Sequence, residues 1–166
     1  GEAWITAKPH FYTTDKITLD ANSMIIKEVS LNNKKLPFNY NDFDLSIELP
    51  KTYQKDEEFT IYIKYTARPE KAKDRITENI TDKKGLYFIN ADGIDKNKPT
   101  QIWTQGETQA NSIWFPTIDA PNQKTSQEIY ITVPNKYKTL SNGTLVNQTN
   151  AGNNRTDYWK FDQKHA

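Results

Sequence analysis

Two polar residues, Gln105 and Glu107, are candidates for ligand binding because of the segment that contains them. Residues 101–123 include two of the four tryptophans, two prolines and little alternation of polar and apolar residues. Long ordered loops on a β scaffold often carry functional groups, so an amide and a carboxylate two positions apart can lie beside a ligand. The alternative, which composition alone favours, is a packed loop with aromatic plugs and a turn capped by Asp119.

Other residues able to carry out chemistry are few. The sequence has no cysteine and two histidines, His10 and His165. The lack of cysteine excludes a disulfide scaffold, a thiolate zinc site, an iron–sulfur centre and a cysteine nucleophile. We expect His10 to lie at the surface beside Pro9 and His165 to lie near a frayed end, and we assign neither to a metal. Two histidines are too few for a self-contained multi-histidine metal site in this chain.

Composition and spacing also argue against several function classes. Twenty-two basic and 21 acidic residues give a formal net charge of +1, too little to indicate binding to nucleic acid or to an anionic membrane. No apolar run approaches the length of a membrane span. The acidic residues 56–58 precede a predicted strand without a second carboxylate at a defined spacing, so a glycoside hydrolase has little support. The compartment stays open, because a cysteine-free chain fits cytoplasm and export alike.

Alternation of apolar and polar residues, the pattern of half-buried strands, runs through most of the chain. In residues 57–67 large apolar side chains occupy every second position, which predicts an antiparallel strand. The pattern recurs in residues 43–49, where Pro50 is expected to end the strand, and in residues 129–133. Shorter runs lie at Ala3–Lys8, Lys16–Asp20, Met24–Leu31, Gly85–Ile89, Thr144–Gln148 and Thr156–Phe161.

Turn-forming residues separate these runs at short intervals, which predicts an all-β fold. We expect a curved antiparallel β-sandwich or saddle of many short strands, with little or no helix. Residues Lys71–Thr81 are charged and weakly apolar, and we expect a surface excursion there. No repeat or linker interrupts the sequence, so residues 1–166 are predicted to form a single domain. Strand-like sequence close to both ends indicates a chain trimmed at each end.

Several short motifs occur in order along the chain. Thr104-Gln105-Gly106-Glu107 fits a Thr-Gln-x-Glu pattern, and residues 114–121 fit Trp-Phe-Pro-x-x-Asp-x-Pro. Other matching segments are Gly1–Thr6, Lys84–Tyr87, Ile129–Pro134, Ser141–Gly143 and Asp157–Phe161. Each motif is weak alone, but together they span nearly the whole chain. In this combination the sequence resembles the N-terminal β domain of the aminopeptidase N family of zinc-dependent gluzincin peptidases.

The resemblance implies that the parent protein is a zinc-dependent aminopeptidase that removes N-terminal residues from peptides. In that family the zinc signature His-Glu-x-x-His and the Gly-x-Met-Glu-Asn motif belong to a following catalytic domain, and neither motif occurs in this sequence. The resemblance therefore places the zinc, its ligands and the catalytic residues in a missing downstream domain and none of them in this chain. It implies two partners, the N-terminus of a peptide substrate and the protein's own catalytic domain, and the first strands of the family domain are expected to be missing.

The resemblance also gives Glu107 and Gln105 specific roles. Glu107 would be the carboxylate that this domain contributes to binding the substrate α-ammonium group, through a charge-assisted hydrogen bond that a blocked N-terminus cannot make. Gln105 would line the pocket for the first substrate side chain. In the family the peptide bond after the glutamate can be cis, which here is Glu107–Thr108. Family members often carry an arginine where this chain has Ala110-Asn111-Ser112, so this chain departs from the family pattern there and lacks that charged partner within the loop.

A non-catalytic β-sandwich module that binds carbohydrate or protein, within a multidomain secreted protein, is the alternative function. Its support is the 12% aromatic content and the exposed-looking Tyr130, Tyr137 and Tyr158. The aromatic residues of the 101–123 segment could form a platform for a sugar. We instead expect Trp103, Trp114 and Phe115 to anchor the loop against the sheet.

Overall fold

The chain is built almost entirely of antiparallel strands in a computed structural model that describes residues 1–165. The strands are β1 (Glu2–Ala7), β2 (Thr14–Asp20), β3 (Ile25–Leu31), β4 (Lys34–Lys35), β5 (Phe38–Tyr40), β6 (Asp44–Tyr53), β7 (Phe59–Thr66), β8 (Leu86–Ile89), β9 (Gln101–Thr104), β10 (Thr125–Pro134), β11 (Thr144–Ala151) and β12 (Asn154–His165). Helical structure in the described residues is confined to short 3₁₀ turns at Pro69–Lys71 and Asn111–Ile113. The all-β prediction is confirmed. No helix in the described part of the chain is long and apolar enough to cross a membrane.

The chain contains two compact units, one formed by Gly1–Asp119 and the other beginning at Ala120. The first unit holds a four-stranded sheet in the order β1-β7-β3-β4, a three-stranded sheet in the order β2-β6-β5, and the β8–β9 hairpin. The second unit is a three-stranded sheet in the order β10-β12-β11. The single domain proposed for the whole chain stays a prediction.

In the first unit the two larger sheets share one apolar core. Ile61 and Ile63 of β7 are fully buried, as are Leu45 and Ile47 of β6. The residues between them point away from the core because successive side chains of a strand alternate between its faces. Burying each such aliphatic side chain stabilises the fold by about 1.5–3 kcal/mol. The alternation in the sequence therefore marks the faces that form this core.

The predicted end of β6 at Pro50 is wrong, since the strand continues to Tyr53. Proline has no N–H for a sheet hydrogen bond and is tolerated in a strand at bulges and edges. The pairing of β6 with β2 is irregular here, because Thr14 lies opposite Tyr53 whereas Lys16 lies opposite Glu48. Pro50 thus falls within a bulge where no regular hydrogen bond is required.

The segment predicted as a surface excursion, residues 71–81, begins with the 3₁₀ turn at Pro69–Lys71 and continues without regular helix. Asn22, just after β2, holds it through two hydrogen bonds. The Asn22 side chain donates to the Lys73 carbonyl oxygen at 2.7 Å and accepts from the Lys73 N–H at 3.1 Å. Ala72 is buried in a small cluster with Ala110 and Ile113. The excursion is therefore fixed to the sandwich at its start.

The second unit contains a buried carboxylate, Asp157 of β12, of which 1% is exposed. The guanidinium of Arg155 donates to both carboxylate oxygens, at 2.6 and 2.9 Å. Thr139 and Gln148 donate to the same carboxylate at 2.6 and 2.9 Å. The pKa of Asp157 lies far below its usual value, mainly because of the hydrogen bonds from Arg155. Desolvation of the buried carboxylate acts in the opposite direction and raises the pKa.

We predict that the stabilising effect of Asp157 depends on pH. Because its pKa is lower in the folded state, the stabilisation is complete well above the unfolded pKa of about 3.9 and is lost as pH falls toward the folded value. Asp157→Asn should lower the urea midpoint clearly at pH 7 and by less at pH 3. Asp162→Asn, which removes a carboxylate from an exposed ion pair with Lys160, is the control. An Asp157→Asn deficit of equal size at both pH values would contradict the prediction.

Candidate functional site

The turn that carries Gln105 and Glu107 follows directly from the β8–β9 hairpin. Leu86 pairs with Thr104 at the end of the hairpin, so the chain leaves β9 at Gln105. The Gln105 N–H donates to the Gly85 carbonyl oxygen at 2.9 Å, and the Ala110 N–H donates to the Gly106 carbonyl oxygen at 2.9 Å. These bonds close a turn around Glu107. The Glu107–Thr108 peptide bond is cis, the conformation that this bond can adopt in the family that the sequence resembles.

Two glycines allow the turn to pack closely. Gly85 has a φ of +64°, and a Cβ placed on it would lie 2.0 Å from the Ala110 carbonyl oxygen. A Cβ placed on Gly106 would lie 2.3 Å from the Asn111 side-chain oxygen. The Ala110 backbone therefore covers Gly85, and the Asn111 amide covers Gly106. Side chains at either glycine would push these neighbours away.

Both candidate side chains are exposed. Within residues 1–165, neither the Gln105 amide nor the Glu107 carboxylate forms a side-chain hydrogen bond or an ion pair with the rest of the chain. The turn is thus held by its backbone hydrogen bonds and by the two glycine contacts. The side chains of Gln105 and Glu107 do not stabilise it. The structure brings Gln105 and Glu107 into one turn and leaves both available to a ligand.

The 3₁₀ turn Asn111–Ile113 continues the loop and is bound to the end of β2. The Asn22 N–H donates to the Ser112 carbonyl oxygen at 2.8 Å, and the Ser112 N–H donates to an oxygen of the Asp119 carboxylate at 2.8 Å. Asp20 and Thr117 exchange backbone hydrogen bonds of 2.7 and 3.0 Å. Asp119 therefore closes the loop back onto Ser112, seven residues upstream.

A charged group outside the loop supports it. Arg75 donates to Asp20 at 2.8 Å and to Asp44 at 2.9 Å, and the second oxygen of Asp20 accepts from the Asp119 N–H at 2.9 Å. Partial burial raises the pKa of Asp44, but hydrogen bonds from Arg75 and Asn41 lower it by more. The sequence motifs do not include Arg75 or Asp20. Their proximity depends on strand register, which no local pattern reveals.

The aromatic residues only partly follow the prediction. Phe115 packs against the main core, and Trp114 is half-buried with its ring edge-on to Phe115 at 4.5 Å. Trp103 is 43% exposed, so its assignment as a core anchor is wrong. Its cross-strand partner is Tyr87, and the two rings stack at 4.7 Å on the hairpin itself.

Two of the three tyrosines named for the alternative binding module, Tyr130 and Tyr158, contact each other. Tyr130 is exposed, whereas Tyr137 and Tyr158 are half-buried, against the expectation that all three are exposed. Tyr130 and Tyr158 lie opposite each other on β10 and β12, and their rings stack at 4.5 Å with an interplanar angle of 2°. The Tyr158 hydroxyl donates to Glu128 at 2.8 Å. This hydrogen bond, with some desolvation, raises the pKa of Tyr158 to about 12. The stacked pair therefore uses one face of each ring internally.

No group of three or more His, Asp or Glu side chains in residues 1–165 is arranged to hold a metal ion. The histidines and carboxylates described here therefore do not fit a zinc site. We assign no reaction step through a metal to the residues of this chain.

A comparison with family models matches residues 1–166 to the peptidase M1 N-terminal domain. No curated protein sequence matches the chain. Similar solved structures include an M1 zinc metallopeptidase from Deinococcus radiodurans, with 14% identity, a TM-score of 0.78, and coverage of 98% of this chain and 34% of that one. Legionella pneumophila aminopeptidase A shares 18% identity with a TM-score of 0.75 and coverage of 99% and 18%, respectively. Yeast LTA4 hydrolase shares 16% identity with a TM-score of 0.69 and coverage of 99% and 24%, respectively. At these identities the likeness concerns the fold, and the chain spans about a third of the first of these structures.

Proposed function

The chain belongs to the peptidase M1 N-terminal domain family, and from this premise we propose that it serves in a zinc-dependent aminopeptidase. The parent enzyme, in this proposal, is the polypeptide that carries the chain together with a downstream catalytic domain. Support comes from the solved structures of similar fold, which include an M1 zinc metallopeptidase and an aminopeptidase and of which this chain covers only a part. The family match does not favour the alternative, a non-catalytic carbohydrate- or protein-binding module of a multidomain secreted protein.

Glu107 is proposed to bind the α-ammonium group of the substrate. The observation that carries this proposal is an exposed carboxylate without an internal partner, in a turn that hydrogen bonds and close glycine contacts hold in place. A carboxylate and an ammonium group form a charge-assisted hydrogen bond of about 2.7–2.9 Å. A peptide with a blocked N-terminus would leave Glu107 unpaired, so the same group would select for free N-termini.

Gln105 is proposed to line the pocket for the first substrate side chain. It leaves β9 two residues before Glu107, and its own N–H is bound to the Gly85 carbonyl oxygen. The backbone at Gln105 is therefore fixed while its amide remains free to contact a ligand. An amide offers both a donor and an acceptor, which suits contact with polar parts of a substrate.

The hydrolytic step is assigned to the downstream catalytic domain, because the described residues of this chain provide no zinc ligand set. We place the zinc of the parent enzyme in that domain. The chain then has two partners, the N-terminus of the peptide substrate and the catalytic domain that follows it. Its own part in the reaction is to bind and orient the substrate amino group.

We predict that residues 1–166, purified alone, neither bind zinc stoichiometrically nor release the chromophore from an aminoacyl reporter. The parent enzyme should do both and should lose turnover when a chelator removes its metal. Metal analysis after dialysis and a reporter assay, run on both proteins at equal concentration, measure the difference. One tightly bound zinc per isolated chain, or real turnover by that chain, would overturn the assignment of zinc and hydrolysis to the downstream catalytic domain.

A further inference from the structure

Two carboxylates face each other at the ends of β2 and β6. Asp20 and Asp44 are direct partners in the antiparallel register, a position where like charges destabilise a sheet. Arg75 offsets this repulsion, because its guanidinium donates to one oxygen of each carboxylate, at 2.8 and 2.9 Å. The same guanidinium lies 5.3 Å from the centre of the Phe43 ring. The conformation of Asp20 therefore depends on Arg75.

Asp20 uses its two oxygens for different purposes. Oδ1 accepts from Arg75, whereas Oδ2 accepts from the Asp119 N–H at 2.9 Å. Asp119 in turn accepts from the Ser112 N–H at 2.8 Å. A continuous series of hydrogen bonds thus runs from the guanidinium to the 3₁₀ turn that follows Glu107.

The backbone near Arg75 is fixed relative to the same loop. Asn22 binds Lys73 through its side chain and Ser112 through its N–H. Arg75, two residues after Lys73, therefore cannot shift freely against the loop that it supports. The Ala110 N–H bond to the Gly106 carbonyl oxygen then joins this anchored region to the turn that contains Glu107.

We propose that Arg75 is a positioning residue for substrate binding, acting through Asp20 and Asp119 on the placement of Glu107. This inference rests on the proposed function of Glu107. The Arg75 side chain is 52% exposed, so its ion pairs add little to overall stability. Its effect is on the geometry of the loop, where a displacement of about 1 Å can reduce catalytic efficiency by about 100-fold.

The main test compares Arg75→Ala with the double variant Arg75→Ala/Asp44→Asn in the parent enzyme. Arg75→Ala should raise KM for a peptide with a free N-terminus about tenfold with a smaller change in kcat, because it disturbs a binding group. Adding Asp44→Asn should recover most of that loss, since it removes the repulsion that Arg75 offsets. Lys8→Ala, which breaks an exposed ion pair with Asp56 in the same unit, is the control and should change neither constant.

Amide hydrogen exchange in residues 1–166 gives a second readout that does not depend on catalysis. Arg75→Ala should speed exchange at the N–H groups of Ser112 and Asp119 and leave that of Ile61, in the core, unchanged. Faster exchange at Ile61 as well would indicate a merely structural role and overturn the proposal.

The outcomes also separate this proposal from the proposed function. An unchanged KM in Arg75→Ala, while Glu107→Gln lowers kcat/KM, would overturn the positioning role and leave the function of Glu107 intact. Unchanged kinetics in both variants would overturn both. If Arg75→Ala raises KM and adding Asp44→Asn does not reverse the change, the claim that Arg75 positions Asp20 by offsetting its repulsion with Asp44 is contradicted.

Discussion

Replacing Glu107 by glutamine in the parent enzyme is expected to lower kcat/KM for peptides with a free N-terminus by roughly tenfold or more. Glutamine keeps the size of the side chain and its ability to accept a hydrogen bond, so the change removes the negative charge. The Glu107 side chain has no hydrogen bond or ion pair with other residues of the described chain. The variant should therefore fold normally, and the loss of activity should reflect the lost contact with the ammonium group.

Gln109→Ala is the matched control for this experiment. Gln109 is an exposed residue of the same turn and has no hydrogen bond to the rest of the described residues. Its truncation should leave kcat/KM within about twofold of the wild-type value, as is usual for a surface side chain without a role. Equal kinetics of Glu107→Gln and the wild type would refute the role given to Glu107.

Gly85→Ala is expected to produce the second large effect, on both stability and activity. Gly85 adopts a φ of +64°, and the left-handed conformation costs a residue with a Cβ about 1–2 kcal/mol. The added Cβ would also lie 2.0 Å from the Ala110 carbonyl oxygen, so Ala110 must move. Because the Ala110 N–H closes the turn around Glu107, we expect a lower urea midpoint together with a clear fall in kcat/KM.

Gly93→Ala separates backbone strain from the contact with Ala110. Gly93 lies between β8 and β9 with a φ of +68°, but the nearest atom to an added Cβ is a Thr100 side-chain oxygen at 3.9 Å. Both substitutions therefore carry similar conformational strain, and only Gly85→Ala displaces the turn. We expect Gly93→Ala to lower the urea midpoint modestly and leave kcat/KM unchanged. Equal losses of activity in the two variants would contradict the role of the Gly85 contact.

Most of the strands could be predicted because they satisfy a local rule, but β4, β5 and β9 could not. Residues 101–104, predicted to belong to a loop, form β9 through their pairing with β8. The alternation in residues 57–67 corresponds to β7 (Phe59–Thr66), since one face of that strand must lie in the core whatever its partners are. The sequence predicts that β6 ends at Pro50, but the strand continues to Tyr53. The bulge that accommodates the proline depends on the pairing with β2, which the local sequence does not reveal. Local sequence reveals which face is buried and does not reveal the register between strands.

In the candidate site, too, the sequence reveals the residues of local motifs and does not reveal the partners that the fold brings from distant parts of the chain. A short motif identifies Gln105 and Glu107, whereas the resemblance allows a cis bond after Glu107 without predicting it. Arg75 and Asp20 had no such signal, because Arg75 is 55 residues from Asp20 along the chain. Asp20 is in turn 99 residues from Asp119. Trp103 was misplaced because a two-stranded hairpin lets a cross-strand aromatic pair form outside the main core.

The most direct test of the account is a crystal structure of the parent enzyme with a peptide bound through a free N-terminus. We predict that the substrate α-ammonium nitrogen lies about 2.7–2.9 Å from a carboxylate oxygen of Glu107. The Gln105 amide should contact the first substrate side chain in the same structure. An ammonium group bound entirely by other residues, with the Glu107 carboxylate turned to solvent, would contradict the account.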